Sequence, residues 1–132
     1  MSSLDTFVEM IMPELNAIQE HLPLTEASLY ILLSLASRSR HGYAIMKDVQ
    51  SLSKGGMELS TGTLYGALKR MHGQGWITPV EARESVRGEG SAGRERKAYA
   101  LTQYGRRVLE AEICRINRLG EIAQGRIAES GP

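Results

Sequence analysis

A chain of 132 residues, 42% hydrophobic and with a net charge of +1, has room for one ordinary domain with a core, and too little for a kinase, a TIM barrel or a dinucleotide-binding enzyme with its own substrate domain. The near-neutral charge is unevenly laid out: residues 1–37 hold five acids and no Lys or Arg, residues 38–107 hold thirteen bases against six acids, and residues 108–132 hold three bases against four acids. One cysteine, Cys114, excludes an internal disulfide framework, and the longest apolar stretch, over 29–36, falls far short of the roughly 20 residues of a membrane span.

Leu4, Phe7, Val8, Ile11, Leu15, Ile18 and Leu22 recur at helical spacing and predict an amphipathic N-terminal helix. Pro13 removes a backbone donor within it, so the expectation is a kink near Met12 or a second helix with Pro13 in its first turn. Thr25 is the expected N-cap of a helix carrying Leu29, Leu32, Leu33 and Ala36, with Tyr30, Ile31 and Leu35 making it apolar almost all round. Such a helix belongs at the centre of the core. A third helix is predicted over 43–52, striped by Ile45, Met46, Val49 and Leu52 and ended by Gly55-Gly56, and a fourth over 61–72 behind Ser60 as N-cap.

Beyond Trp76 the period changes. Val80 and Ala82 on one side and Tyr99 and Leu101 on the other are extended stretches flanking a glycine-rich, basic segment, which predicts a β-hairpin with a long tip. Thr102 caps a last helix in which Leu109, Ile113, Ile116, Gly120, Ala123 and Ile127 follow one another on one stripe. The predicted architecture is mainly α with a small β-hairpin: a winged helix-turn-helix at 23–101, preceded by a helical segment at 1–22 and followed by a dimerisation helix and short tail at 102–132.

In that arrangement the helix at 60–72 enters a DNA major groove and the wing at 85–97 flanks it on the backbone or minor groove. Leu64, Leu68 and Met71 fall on one face of the helix and turn to the core. Gly62, Tyr65, Gly66 and Lys69 fall on the other, with Ser60 and Thr61 at its leading end. Hydroxyls and an ammonium serve phosphate and base edges. Two glycines, each costing about 0.5 to 1 kcal/mol against alanine in a helix, suit a face that something approaches closely. The basic middle of the chain points the same way, to a polyanion.

The strings LTEASLYILLSLA, HGYAIMKDV, STGTLYGALKRM, GWI and RERKAYALTQYGRRVL, spanning about residues 24 to 109, together resemble the DNA-binding domain of the PadR family of bacterial transcriptional regulators. The resemblance implies that His41 and Tyr43 open the helix before the turn, that Ser60, Thr61, Thr63, Tyr65 and Lys69 belong to the recognition helix, and that Arg94, Arg96 and Lys97 lie on the returning wing strand; Arg87, outside the matching strings, is a further base expected on the wing. Gly66 stands where many members have proline. It further implies a homodimer through the C-terminal helix, and the stripe from Leu109 to Ile127 independently exceeds what so small a domain covers. Phe7, Ile11 and Leu15 of the N-terminal helix are expected at the same interface. The functional expectation is a homodimeric repressor of a palindromic operator. The alternatives are a winged-helix protein-interaction module and a ligand sensor without direct DNA readout.

Gly88-x-Gly90-x-x-Gly93 matches a phosphate-loop pattern in letters, but a strand-like stretch follows where a helix is needed, so the glycines read as the wing tip. His21, His41 and His72 are dispersed, and no nucleophile motif joins Ser, His and acid. The reading is therefore of no enzyme, no metal and no cofactor, with double-stranded DNA and a second copy as partners and a small-molecule effector left open. Asp5 and Glu9 stand where a signal peptide would carry positive charge, which favours the cytoplasm.

Overall fold

The computed structural model describes residues 3–81 and 97–131. Its elements are α1 (Ser3–Glu20), α2 (Glu26–Ala36), β1 (Arg40–His41), α3 (Gly42–Leu52), α4 (Thr61–Gly73), β2 (Ile77–Val80), β3 (Ala98–Leu101) and α5 (Gln103–Ser130). The chain divides into two compact units, one of residues 25–106 and one of residues 1–24 with 107–132. The two terminal segments, expected as separate regions, thus group together.

The first unit is a helical core with a small sheet. Thr25 caps α2, its hydroxyl accepting the Ser28 N–H at 3.1 Å. Ile31, Leu32 and Leu35 of α2 meet Ile45 and Val49 of α3 and Leu64, Leu68 and Met71 of α4 in the buried interior. Each fully buried side chain of this size contributes about 1.5 to 3 kcal/mol relative to exposure. Trp76, 5% exposed, and Ile77, 1% exposed, extend the core to the sheet.

The sheet has three strands where a two-stranded hairpin was expected, in the order β1-β3-β2, all antiparallel. The added strand pairs Arg40 with Tyr99 and His41 with Ala98. Two residues give no periodicity, which is why β1 is invisible in the sequence. β2 is an edge, and Pro79 in it is tolerated because an edge residue can face away from the ladder without a donor. Helix α3 ends at Leu52, as expected, and both Lys54 (φ 54°) and Gly55 (φ 81°) take left-handed positions after it, with Gly55 N–H donating to Gln50 C=O at 2.8 Å and Lys54 N–H to Ser51 C=O at 3.0 Å.

In the other unit, α1 runs as one unbroken helix through Pro13, so no second helix begins there. Glu9, whose carbonyl the proline cannot satisfy, and Pro13 are both exposed, leaving that carbonyl to water. Glu14 of α1 accepts from Arg107 of α5 at 2.9 Å. Glu112 of α5 is buried, with 1% of its side chain exposed, and its carboxylate is satisfied on both oxygens. Arg115 donates through Nε to Oε1 (2.6 Å) and through Nη2 to Oε2 (3.1 Å), and Leu24 N–H donates to Oε2 (3.0 Å). The Arg115 hydrogen bonds hold the Glu112 carboxyl below the usual carboxylate range, against the opposing effect of burial and with help from the Leu24 amide.

Candidate nucleic-acid interface

Helix α4 begins on Ser60, whose hydroxyl accepts the Thr63 N–H at 3.1 Å and lies 2.9 Å from the Thr63 hydroxyl. Ser60 and Thr63 therefore bond each other and fix the first turn. Leu64, Ala67, Leu68 and Met71 are buried, which turns Thr61, Gly62, Gly66, Lys69 and Arg70 outward. Around Gly62 and Gly66 nothing lies within 4 Å of where a side chain would start. Among the described residues neither Lys69 nor Arg70 has an ion-pair partner. The helix ends at Gly73, and beyond the Gln74 cap Gly75 takes a φ of 80° that is open to glycine, with Trp76 N–H donating to Met71 C=O at 2.9 Å.

Tyr65 differs from its neighbours on this face. It is 45% exposed, but its hydroxyl end is turned onto Gly42 at the start of α3, where an added Cβ would overlap the phenol. Tyr99 of β3 lies near enough to feel it: burial first, and the proximity of Tyr65 second, push the Tyr99 phenol up.

On α3, Tyr43 is exposed and Lys47, one turn on, holds its ammonium 5.7 Å from the ring centroid. Lys47 was not among the expected contacts, although its i+4 spacing from Tyr43 would have found it. Arg70, outward on α4, was also missed. His41 is only half-exposed, lies in β1, and has a buried Nδ1 that finds no partner among the described residues. Its side chain makes no cap hydrogen bond to α3. Lys97, just before β3, is exposed. Arg87, Arg94 and Arg96 lie outside the described residues.

Along α5 the expected stripe is only partly open. Leu109 is buried within its own chain at 3% exposure, so it has no surface to offer a second copy. Ile113, Ile116, Gly120, Ala123 and Ile127 are exposed, and so are Leu119 and Ile122, which the narrower stripe omitted. On α1, Phe7 and Leu15 are exposed and Ile11 is half-buried.

Residues 31–111 match the transcriptional regulator PadR-like family. The chain belongs to this family. It is a member of a family of transcriptional regulators, with the winged-helix fold of its solved members. A crystal structure of a PadR family transcription regulator from Clostridium difficile R20291 is 28% identical, with a TM-score of 0.59 over 76% of this chain and 96% of that one. Bacillus subtilis PadR in complex with operator DNA is similar in fold, with 23% identity and a TM-score of 0.57 over 69% of this chain and 48% of that one. A curated relative, an uncharacterized 37.1 kDa protein in transposon TN4556 of Streptomyces fradiae, is 35% identical over 105 residues. Those residues are 80% of this chain and 26% of that protein, so the chain spans about a quarter of the relative it matches. Among the described residues no helix is long and apolar enough to cross a membrane, and no group of three or more His, Cys, Asp or Glu could hold a metal.

Proposed function

We propose that this chain binds double-stranded DNA as a cytoplasmic homodimer and represses transcription from a palindromic operator. Residues 23–101 would form the DNA-binding domain and residues 1–22 and 102–132 the dimerisation elements. The outward face of α4 carries the reading: Thr61, Gly62, Gly66 and Lys69 are exposed behind a helix start fixed by Ser60 and Thr63. A hydroxyl and an ammonium beside two residues without side chains form a surface that fits close under base edges and phosphates. Tyr43 and Lys47 on α3 would meet the flanking backbone, as would Lys97 with Arg87, Arg94 and Arg96 on the wing. Bacillus subtilis PadR, similar in fold, is a complex with operator DNA, which supports double-stranded DNA as the partner.

Dimerisation is supported by Ile113, Ile116, Leu119, Ile122 and Ile127, all between 37% and 71% exposed on one helix. An apolar series of that extent is stable in water when a second copy covers it. Repression is the simpler output, because operator occupancy alone can exclude polymerase.

Selection of bound duplexes from a random pool, followed by sedimentation of the complex, tests both parts. The expected result is an enriched palindrome bound by two chains. Failure to enrich any sequence would remove the DNA-binding reading, and one chain on an asymmetric site would remove the dimer.

A further inference from the structure

Deepening the DNA-binding reading on which it rests, we infer that Gly42 and Tyr65 form a steric interlock setting the recognition helix against α3, and that Tyr65 serves DNA binding as a positioning residue through its ring. Gly42 is buried at the first position of α3. The space a Cβ would occupy there is filled by the Tyr65 hydroxyl and its Cζ at 2.7 Å, with Cε1 at 3.2 Å. Real Cβ atoms do not approach so closely, so any side chain at position 42 must displace the phenol. Tyr99 of β3, only 8% exposed, is the buried phenol on which Tyr65 acts electrostatically. With 45% of Tyr65 exposed, a displaced ring has open space on its solvent side.

Two consequences follow from that geometry. With glycine at 42 the ring bears on α3 and fills the crevice between the two helices, fixing their relative rotation and hence where Thr61 and Lys69 point. With alanine at 42 the ring has to leave its place, and the face of α4 kept clear by Gly62 and Gly66 is open to receive it. A bulky aromatic on that face would hold DNA away. The Tyr65 hydroxyl, turned inward, has no part in direct readout.

Four proteins test this: Gly42→Ala, Tyr65→Phe, Tyr65→Ala, and Gly42→Ala combined with Tyr65→Ala. Each is measured for affinity to the selected duplex and for melting temperature. Tyr65→Phe keeps the ring and should bind within about twofold of wild type, while Tyr65→Ala and Gly42→Ala should each bind at least tenfold more weakly. Once Tyr65 is alanine, adding Gly42→Ala should change affinity by less than about twofold, because the clash has gone. The interlock is overturned if Tyr65→Phe binds as weakly as Tyr65→Ala, which would put the hydroxyl on DNA. Equal losses from Gly42→Ala in both backgrounds would also overturn it. Should Gly42→Ala fail to fold, recovery of folding in the double variant supports the interlock and continued failure overturns it. If wild type selects no duplex, the proposed function falls separately, and the interlock stands or falls on whether the two substitutions are non-additive in melting temperature.

Discussion

Replacing Gly66 by alanine sets stability and DNA binding in opposition. Gly66 sits inside the 13-residue α4, and nothing lies within 4 Å of the methyl the substitution would add. The methyl therefore meets no clash, and the helix gains the propensity difference between glycine and alanine, about 0.8 to 1.0 kcal/mol. With an unfolding entropy of about 2.1 cal/mol/K per residue, a 132-residue chain should melt about 3 to 4 °C higher. Affinity for the selected duplex should move the other way, by tenfold or more, because the methyl stands on the face proposed to lie under DNA. Gly62→Ala, in the first turn, should show the same opposition with a smaller thermal gain. Thermal unfolding followed by circular dichroism and equilibrium titration of the same preparations read both quantities. A lower melting temperature would refute the open space at position 66, and a stabilised variant that binds DNA like wild type would refute the close approach.

Leu68, 1% exposed, belongs to the opposite face of the same helix, and Leu68→Ala should cost about 2 to 5 kcal/mol in denaturant unfolding through the cavity it leaves. Ile116→Asp should place a carboxylate in the proposed dimer interface, and sedimentation should then show monomer in place of dimer. Because Arg115 holds the folded Glu112 carboxyl below its unfolded value, the stability it supplies is complete above the unfolded pKa and is lost as pH falls through the lower, folded one. Wild type should therefore lose melting temperature below about pH 4.3 more steeply than Glu112→Gln, and parallel acid limbs would contradict this.

The helical frame was legible because each element announces itself locally: Thr25 and Ser60 precede apolar runs and do cap them, and Thr102 accepts the Gly105 N–H at 2.9 Å as an N-cap should. The face of α4 was legible for the same reason, since Leu64, Leu68 and Met71 leave no freedom in where Gly62 and Lys69 point. What could not be read depends on partners distant in sequence. β1 exists only because β3, more than fifty residues later, pairs with Arg40 and His41. Tyr65 shares the outer half of α4 by helical angle, and only the approach of Gly42 turns its hydroxyl inward. Leu109 fits the α5 stripe by spacing, and burial in its own chain removes it.

Helix α2 has no basic residue in its own last turn, yet its terminal carbonyls are met by guanidinium groups from elsewhere: Arg40 Nε donates to Ser34 C=O at 2.7 Å, and Arg106 Nη2 to Ala36 C=O at 3.1 Å. Both charges offset the partial negative end of the helix. Arg40 is held further by Asp48 at 3.5 Å, and Arg107 is engaged by Glu14. Three of the thirteen bases between residues 38 and 107 are thus occupied by the protein itself, leaving no more than ten per chain to displace condensed cations from a duplex. The dependence of log affinity on log salt, about 0.9 per neutralised phosphate, should accordingly be shallower than the sequence's basic count suggests. Arg40 and Arg106 should leave that slope unchanged when exchanged for neutral residues, even as the fold weakens.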